Sequence, residues 1–153
     1  MDSVDWKILK LLQVDASLTV KQIAKHVHLS VTPCWKRIQK LETEGYIRAR
    51  VALLDPKLLN ADVTVFVAIK AAQHTTEWIE RFSHAVSDMP EVMEIYRMSG
   101  EIDYLLRVVV SSIAAYDRFY KTLVDRIELS DVTSSFAMEE MKYTTALPIN
   151  LGQ

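Results

Sequence analysis

The sequence predicts an α+β protein in which an N-terminal domain of three helices, containing a helix-turn-helix, is linked by a strand to a ferredoxin-like domain of order β-α-β-β-α-β. Three observations support this class. Apolar residues recur with helical spacing near the N-terminus, residues 19–47 contain two short amphipathic helices joined by a tight turn, and strand and helix patterns alternate afterwards. Asp55-Pro56 separates the two regions, so we predict domains at residues 1–55 and 56–153.

The first two helices are predicted from an apolar stripe and a cap. The stripe of the first helix consists of Val4, Ile8, Leu11 and Leu12. This helix ends near Asp15. The second helix begins after Thr19, which forms a capping box with Gln22, because the threonine hydroxyl accepts the Gln22 N–H while the glutamine side chain reaches back.

The third helix carries its own start and stop signals. Ser30 is a good N-cap residue, Pro33 lies in the first turn, and Gly45 supplies the C-terminal stop. The inward seam of this helix consists of Cys34, Ile38 and Leu41. We therefore interpret Cys34 as a packed core residue rather than a reactive thiol.

The outward face of the third helix is basic and polar. It consists of Thr32, Lys36, Gln39 and Lys40, with Arg37 on its flank. Lysine and arginine can donate to phosphates or guanine edges, and glutamine can pair with adenine. Taken alone, the pattern fits an ordinary solvated helix face, but with the cap, the turn and the preceding helix it favours DNA binding through these residues. Arg48 or Arg50, just downstream, would contact the DNA backbone.

After Gly45 the pattern changes to period two, which predicts a strand at residues 47–53. A lone strand is not stable, so we expect a partner, for which the same strand of a second subunit is one choice. The remainder predicts strands at residues 63–69, 92–98, 104–110 and 132–145. Two helices have apolar faces that span residues 78–86 and 113–127.

In this arrangement the helices cover one face of the sheet and leave the other face free. We expect the free face to be rich in Val, Phe, Ala and Met, which would be a large exposed apolar patch in a monomer. We therefore predict an obligate dimer.

The charge is distributed unevenly along the chain. The net charge is −2, but residues 1–55 carry nine basic and six acidic side chains, whereas residues 56–153 carry nine and fourteen. A weakly positive N-terminal domain on an acidic body suits a DNA-binding unit that needs several copies for useful affinity.

Other classes of protein are disfavoured. There is one cysteine, the N-terminus has no apolar signal region, and no apolar run is long enough to span a bilayer, so we expect a cytoplasmic protein without membrane contact. No histidine, cysteine or carboxylate set has metal-ligand spacing, and no catalytic motif is present. We therefore predict that the chain is not an enzyme and holds no metal or cofactor.

Three motifs resemble those of the leucine-responsive regulator/AsnC family of amino-acid-sensing transcription factors. LSVTPCWKRIQKLETEGYI is similar to the family's helix-turn-helix motif, VALLDP to its hinge strand and GEIDYLL to its ligand-domain loop. The resemblance extends from Val4 to about Pro148. TPCWKR and DVTSSFAMEEMKYTT most resemble the cysteine-detoxification regulators within this family.

The resemblance implies a sequence-specific DNA-binding regulator that responds to an amino acid, with L-cysteine as the candidate effector and cysteine catabolism as the candidate target. It also implies homodimers that pair through their sheets and assemble into octamers or similar particles, with the effector bound between dimers near residues 100–103. Two alternatives are a nucleoid-associated protein that organises DNA, and a ligand-binding ferredoxin-like module without a DNA role.

The candidate effector residues make chemical sense for a zwitterion. Asp103 or Glu101 would bind the ammonium group, and backbone N–H groups near Gly100 would bind the carboxylate. Met98 would form a soft pocket wall. The remaining candidates are Tyr104, Thr133, Ser134 and Ser135. The alternative is that residues 100–103 form a plain hairpin turn and that the hydroxyls belong to a solvated strand.

Overall fold

The computed structural model describes residues 1–149 and confirms the α+β class. Two compact units are present: a helical unit, Met1–Leu53 together with the segment that begins at Met141, and a sheet unit, Leu54–Glu140. The C-terminal segment thus packs with the helices, although the sequence assigned it to the second domain. Residues 150–153 of that predicted domain lie outside the described residues. Among residues 1–149, every helix is too short or too polar to span a bilayer.

The helical unit contains α1 (Ser3–Leu12), α2 (Val20–His26) and α3 (Val31–Thr43). Thr19 and Gln22 form the predicted capping box, with Thr19 N donating to Gln22 Oε1 over 2.8 Å and Gln22 N donating to Thr19 Oγ1 over 3.3 Å. Ser30 occupies the N-cap of α3 without a side-chain cap bond, and Gly45 follows the C-cap with a φ of +80°. The core of the unit consists of Ile8, Leu12, Ile23, Ala24, Val27, Cys34, Ile38 and Leu41.

The sheet unit contains β1 (Val63–Ala71), α4 (Thr76–Ser87), β2 (Val92–Arg97), β3 (Tyr104–Val110), α5 (Ile113–Arg126) and β4 (Leu129–Phe136). The strand order is β2-β3-β1-β4, and all neighbours are antiparallel. Val65, Val67 and Ile69 of β1 are completely buried together with Phe82 of α4 and Leu123 of α5. The core therefore lies between the two helices and one face of the sheet.

Two predicted strands differ in the structure. Residues 47–53 form no strand within the described chain, because no strand of this chain pairs with them, and their pairing with the same segment of a second subunit stays a prediction. The last strand begins at Leu129 and ends at Phe136, well short of Thr145, because β1 pairs with it only as far as Phe136. The apolar face predicted for α5 at residues 113–127 is also partly wrong. Ile113, with which it was to begin, is 72% exposed, and Phe119, which the predicted stripe left out, is buried.

The free face of the sheet is less apolar than predicted. Most of the valines face the helices, and the free face combines apolar, polar and charged side chains: Thr64, Phe66, Ala68, Glu94, Tyr96, Leu105, Arg107, Val109, Thr133 and Ser135. Arg107 Nη2 donates to Glu94 Oε1 over 2.9 Å, and the Tyr96 hydroxyl donates to Glu94 Oε2 over 3.0 Å. This network holds the pKa of Glu94 below its usual value, chiefly through the bond from Arg107. An ion pair therefore crosses the patch beside Phe66.

The two N-caps of the helix-turn-helix provide a matched test of stability. Thr19→Ala should lower the free energy of unfolding by about 1 kcal/mol, because it removes the acceptor for Gln22 N–H. Ser30→Ala should cost less than about 0.5 kcal/mol, since Ser30 makes no side-chain cap bond. Urea denaturation monitored by far-UV circular dichroism measures both values. Equal losses at the two positions would contradict this assignment.

Candidate nucleic-acid interface and ligand site

Helix α3 presents the predicted polar face to solvent. Thr32, Lys36, Gln39 and Lys40 are exposed, and the seam on the other side of the helix is buried. The helix is 13 residues long, and its first turn lies directly after the turn that follows α2. An exposed basic helix in the second position of a helix-turn-helix has the geometry that enters a DNA major groove.

Arg37 does not share this exposed face. Its Nη1 donates to Asp5 Oδ1 over 2.7 Å and to Asp2 Oδ2 over 2.8 Å. These two bonds raise the pKa of Arg37, with the bond to Asp5 the larger cause. The pKa of Asp2 is lowered, first by the Asp5 backbone N–H and then by Arg37. The sequence predicted that Arg37 meets DNA, whereas the structure directs its guanidinium to the N-terminus of α1.

Glu42 organises two other candidate DNA-binding residues. Its Oε2 accepts a bond from Gln39 Nε2 over 2.9 Å, and its Oε1 accepts a bond from Arg50 Nη2 over 2.8 Å. Lys40 Nζ lies 3.7 Å from Glu44 Oε1. These pairs are partly or fully exposed, so each is worth well under about 1 kcal/mol and can rearrange when a phosphate approaches. Glu42 was not predicted from the sequence, although its i+3 spacing from Gln39 indicates such a contact.

Cys34 is completely buried in the helical core, which confirms its prediction as a packed residue. Burial raises the pKa of its thiol, although the charge of Arg37 acts in the opposite direction. A thiol of this kind is chemically quiet at neutral pH. Among residues 1–149, no group of three or more His, Cys, Asp or Glu side chains is arranged to hold a metal ion.

The loop between β2 and β3 is held by backbone bonds around Asp103. Asp103 N donates to Ile69 O over 2.9 Å, and its carbonyl accepts a bond from Met98 N over 2.8 Å. The Asp103 Oδ2 atom accepts a bond from Ala71 N over 2.8 Å. Oδ1 lies 3.9 Å from Nδ1 of the exposed His74. Part of the Asp103 carboxylate thus supports the end of β1, and the rest faces outward.

The other loop candidates fall into two groups. Gly100, Glu101 and Met98 are exposed, and Gly100 has a φ of +132° that favours glycine. Tyr104, in contrast, is a core residue: its ring centroid lies 4.5 Å from that of Phe82, and it is buried under α4. The sequence predicts Tyr104 as an effector contact, and the structure places its ring on the helix-covered face of the sheet, because the first residue of β3 points to that face.

The predicted run of three hydroxyls on β4 is divided between the two faces of the sheet. Thr133 pairs with Ala68 and Ser135 pairs with Phe66, so both lie on the free face. Ser134 points to the helix side, where its hydroxyl shares a hydrogen bond with the hydroxyl of Tyr116. The period-two alternation of a strand separates neighbours in this way, so the three residues cannot form one site.

Two residues that the sequence analysis did not single out lie near the loop. His74 is brought to Asp103 by the pairing of β1 with β3, although the two residues are far apart in sequence. Asp131 pairs with Lys70, next to the Ala71 N–H that Asp103 accepts. Only the strand register brings these groups to one end of the sheet, so no local sequence signal could have indicated them.

Comparisons with known proteins match both regions of the chain to known profiles. Residues 64–147 match the profile of the Lrp/AsnC ligand binding domain, and residues 1–48 match a winged helix-turn-helix DNA-binding profile. The DNA-binding transcriptional activator DecR of Escherichia coli K12 is 51% identical over 97% of this chain and 99% of its own.

Two solved structures are also similar. The crystal structure of an AsnC family transcriptional regulator from Agrobacterium tumefaciens has 61% identity and a TM-score of 0.94, with 97% of each chain covered. A transcriptional regulator from Neisseria meningitidis, solved as a complex with L-Met, has 34% identity and a TM-score of 0.93, with 98% of this chain and 97% of that chain covered.

Proposed function

Because the chain belongs to the Lrp/AsnC family of DNA-binding transcriptional regulators that respond to amino acids, we propose that it binds L-cysteine and controls genes of cysteine catabolism. Its relatives are transcriptional regulators and not enzymes. The observation that carries the DNA-binding part is the exposed basic face of α3 in a helix-turn-helix unit. A regulator of this kind acts on the chromosome, so its place of action is the cytoplasm.

The proposed DNA contacts come from α3 and the segment after it. Thr32, Lys36, Gln39 and Lys40 face the major groove, and Arg48 and Arg50 face phosphates. Gln39 and Arg50 must leave Glu42 to do so, which costs little because the bonds are exposed. The acidic side chains of Asp2, Asp5, Glu42 and Glu44 lie close to this face and keep its net charge low. Tight binding therefore needs several helical units on one DNA.

The proposed assembly begins with a homodimer through the free face of the sheet. Phe66 is 40% exposed in the middle of that face, and Leu105 and Val109 beside it are only half-buried. Glu94 and Arg107 already neutralise each other there, so a second copy of the same face can cover them without leaving a lone charge. A self-complementary face of this kind suits a two-fold axis. Further association of dimers into octamers is part of the same proposal.

The proposed effector site lies around the loop between β2 and β3. The outward Oδ1 of Asp103, or the exposed carboxylate of Glu101, binds the ammonium group of the amino acid, and N–H groups near Gly100 bind its carboxylate. Met98 lies beside them as a soft apolar contact for a sulfur-containing side chain. The relative solved with L-Met supports a sulfur-containing effector, and the cysteine-detoxification motifs favour L-cysteine over L-methionine.

DNA binding can be tested on the fragment upstream of the protein's own gene. Lys36→Ala and Lys40→Ala should each weaken binding and lower the salt slope by about one for every helical unit bound, because one phosphate contact is lost. Lys121→Ala, on α5, should leave the slope unchanged. Fluorescence anisotropy across a salt series measures these values.

Two outcomes of that experiment would contradict the proposal. Unchanged slopes for Lys36→Ala and Lys40→Ala would show that α3 is not the DNA-binding face. Footprinting that reveals uniform coating of unrelated DNA, rather than phased protection at a few promoters, would indicate the nucleoid-organising alternative.

The dimer can be tested by placing a charge on the free face. Phe66→Arg should shift the sedimentation velocity of the protein towards that of a 17.5 kDa monomer, because each copy would bring an unpaired cation into the interface beside Arg107. Ile113→Arg, at a highly exposed position of α5, is the matched control and should leave the mass unchanged. A Phe66→Arg protein with the mass of wild type would contradict pairing through this face.

The effector can be tested by thermal shift against the twenty amino acids, with reductant alone as the blank. L-cysteine should raise the Tm most, because a ligand that binds only the folded protein stabilises it. Whichever of Asp103→Asn and Glu101→Gln removes the ammonium partner should abolish that rise. Asp103→Asn keeps an oxygen that accepts the Ala71 N–H, and Asp88→Asn should not affect the rise. If another amino acid acts and L-cysteine does not, the effector is wrong but the family assignment stands.

A further inference from the structure

The cluster of Asp2, Asp5 and Arg37 joins the first helix to the DNA-binding helix. Asp5 is 6% exposed and is the one buried charged residue among residues 1–149. Its two oxygens are both used: Oδ2 accepts the Asp2 N–H over 2.9 Å, and Oδ1 accepts Arg37 Nη1 over 2.7 Å. Asp2 in turn caps the N–H groups of Val4 and Asp5. The capping box of α1 is thus built from two carboxylates, and one guanidinium pairs with both, which leaves the cluster with a net charge of −1.

Asp5 is the carboxylate that cannot easily lose this partner, because its side chain is 8% exposed, whereas that of Asp2 is 53% exposed. Without Arg37, two negative charges would remain at one helix end, one of them nearly buried, and a buried charge without a partner is strongly unfavourable. Among residues 1–149, Arg37 is the cation that forms ion pairs with them. The bonds therefore impose a fixed direction on α3 relative to α1, in addition to the apolar contacts of Ile8 and Ile38.

The cluster is also adjacent to the DNA-binding lysines. Lys36 and Lys40 line the same surface hollow as Asp2, Asp5 and Arg37. If the two carboxylates lost Arg37, they would attract these lysines and repel an approaching phosphate. The net charge of this cluster therefore affects how strongly Lys36 and Lys40 can interact with DNA.

We propose that Arg37 is a positioning residue of the DNA-binding unit: it offsets one of the two negative charges of Asp2 and Asp5 and holds α3 so that Lys36 and Lys40 face the phosphates, and its own guanidinium stays on α1 when DNA binds. This inference rests on the proposed DNA-binding function. It differs from the sequence-based expectation, in which Arg37 itself contacts DNA. If Arg37 positions α3, removal of the Asp5 carboxylate together with Arg37 should restore DNA binding. If Arg37 contacts DNA, it should not.

The test compares Arg37→Gln with the double variant Arg37→Gln/Asp5→Asn. The cluster has a net charge of −1 in the wild type, −2 in the single variant and again −1 in the double variant. At a temperature where circular dichroism shows each variant to be folded, the single variant should bind the upstream fragment about tenfold more weakly. The double variant should recover to within about threefold of wild type.

The salt slope separates the two roles. In the double variant it should equal that of wild type, because no phosphate contact has been removed, whereas the matched control Lys40→Gln should lose about one per helical unit. Arg37→Lys keeps the positive charge but lacks the planar guanidinium. It should have the wild-type salt slope and a DNA affinity between those of the wild type and Arg37→Gln. If Arg37→Gln unfolds while the double variant folds and keeps the slope, the carboxylates are still identified as the groups through which Arg37 acts.

Other results would overturn the inference. A double variant as weak as the single variant, with a slope reduced by about one per helical unit, would make Arg37 a phosphate contact. An Arg37→Gln protein that binds as tightly as wild type would show that the cluster has no effect on DNA binding. Failure of the proposed function is distinguishable from both, since the wild-type protein itself would then show no salt-dependent binding of the fragment.

Discussion

One-sided burial of the four-stranded sheet is the constraint on which the rest of the sheet unit depends. Both helices lie on one face, so alternate residues of each strand must be apolar on that side, and Val65, Val67 and Ile69 are completely buried there. A slip of one residue would move this whole set to the free face. The register is therefore firmly fixed, and it decides where every other side chain of the sheet lies, including Phe66 and the ion pair of Arg107.

The sequence predicted best what depends on neighbouring residues. The capping box at Thr19, the stop at Gly45 and the limits of β3 follow from local spacing, and the structure contains all three. It predicted poorly what depends on distant partners. Period two indicated an extended segment at residues 47–53, but a strand exists only where another strand pairs with it, and the described chain offers none. Ser134 was misread because only the register shows which face of β4 it occupies.

Arg37 illustrates the same limit for the candidate DNA-binding site. Its position on the flank of α3 was correct, but a helical wheel does not show what lies opposite that flank, and Asp5 is 32 residues away. The pairs at Glu42 differ physically from this cluster. Gln39 and Arg50 bond to a solvent-accessible carboxylate and can exchange it for a phosphate at little cost, whereas Asp5 is buried and cannot release its cation without penalty. Burial, rather than charge type, therefore separates the residues available to DNA from the residue that orients them.

The two carboxylate oxygens of Asp103 have different roles: one is bonded within the protein and the other is available to a ligand. Its Oδ2 accepts the Ala71 N–H and its backbone is bonded to Ile69 and Met98, so bonds within the protein itself hold the loop. A ligand that binds Oδ1 does not have to order the loop, which removes one cost of binding. The same carboxylate is partly exposed, however, so an ammonium group gains only a screened interaction there. Such a site suits reversible binding of an abundant metabolite, since its occupancy then follows concentration over the range in which an amino acid accumulates.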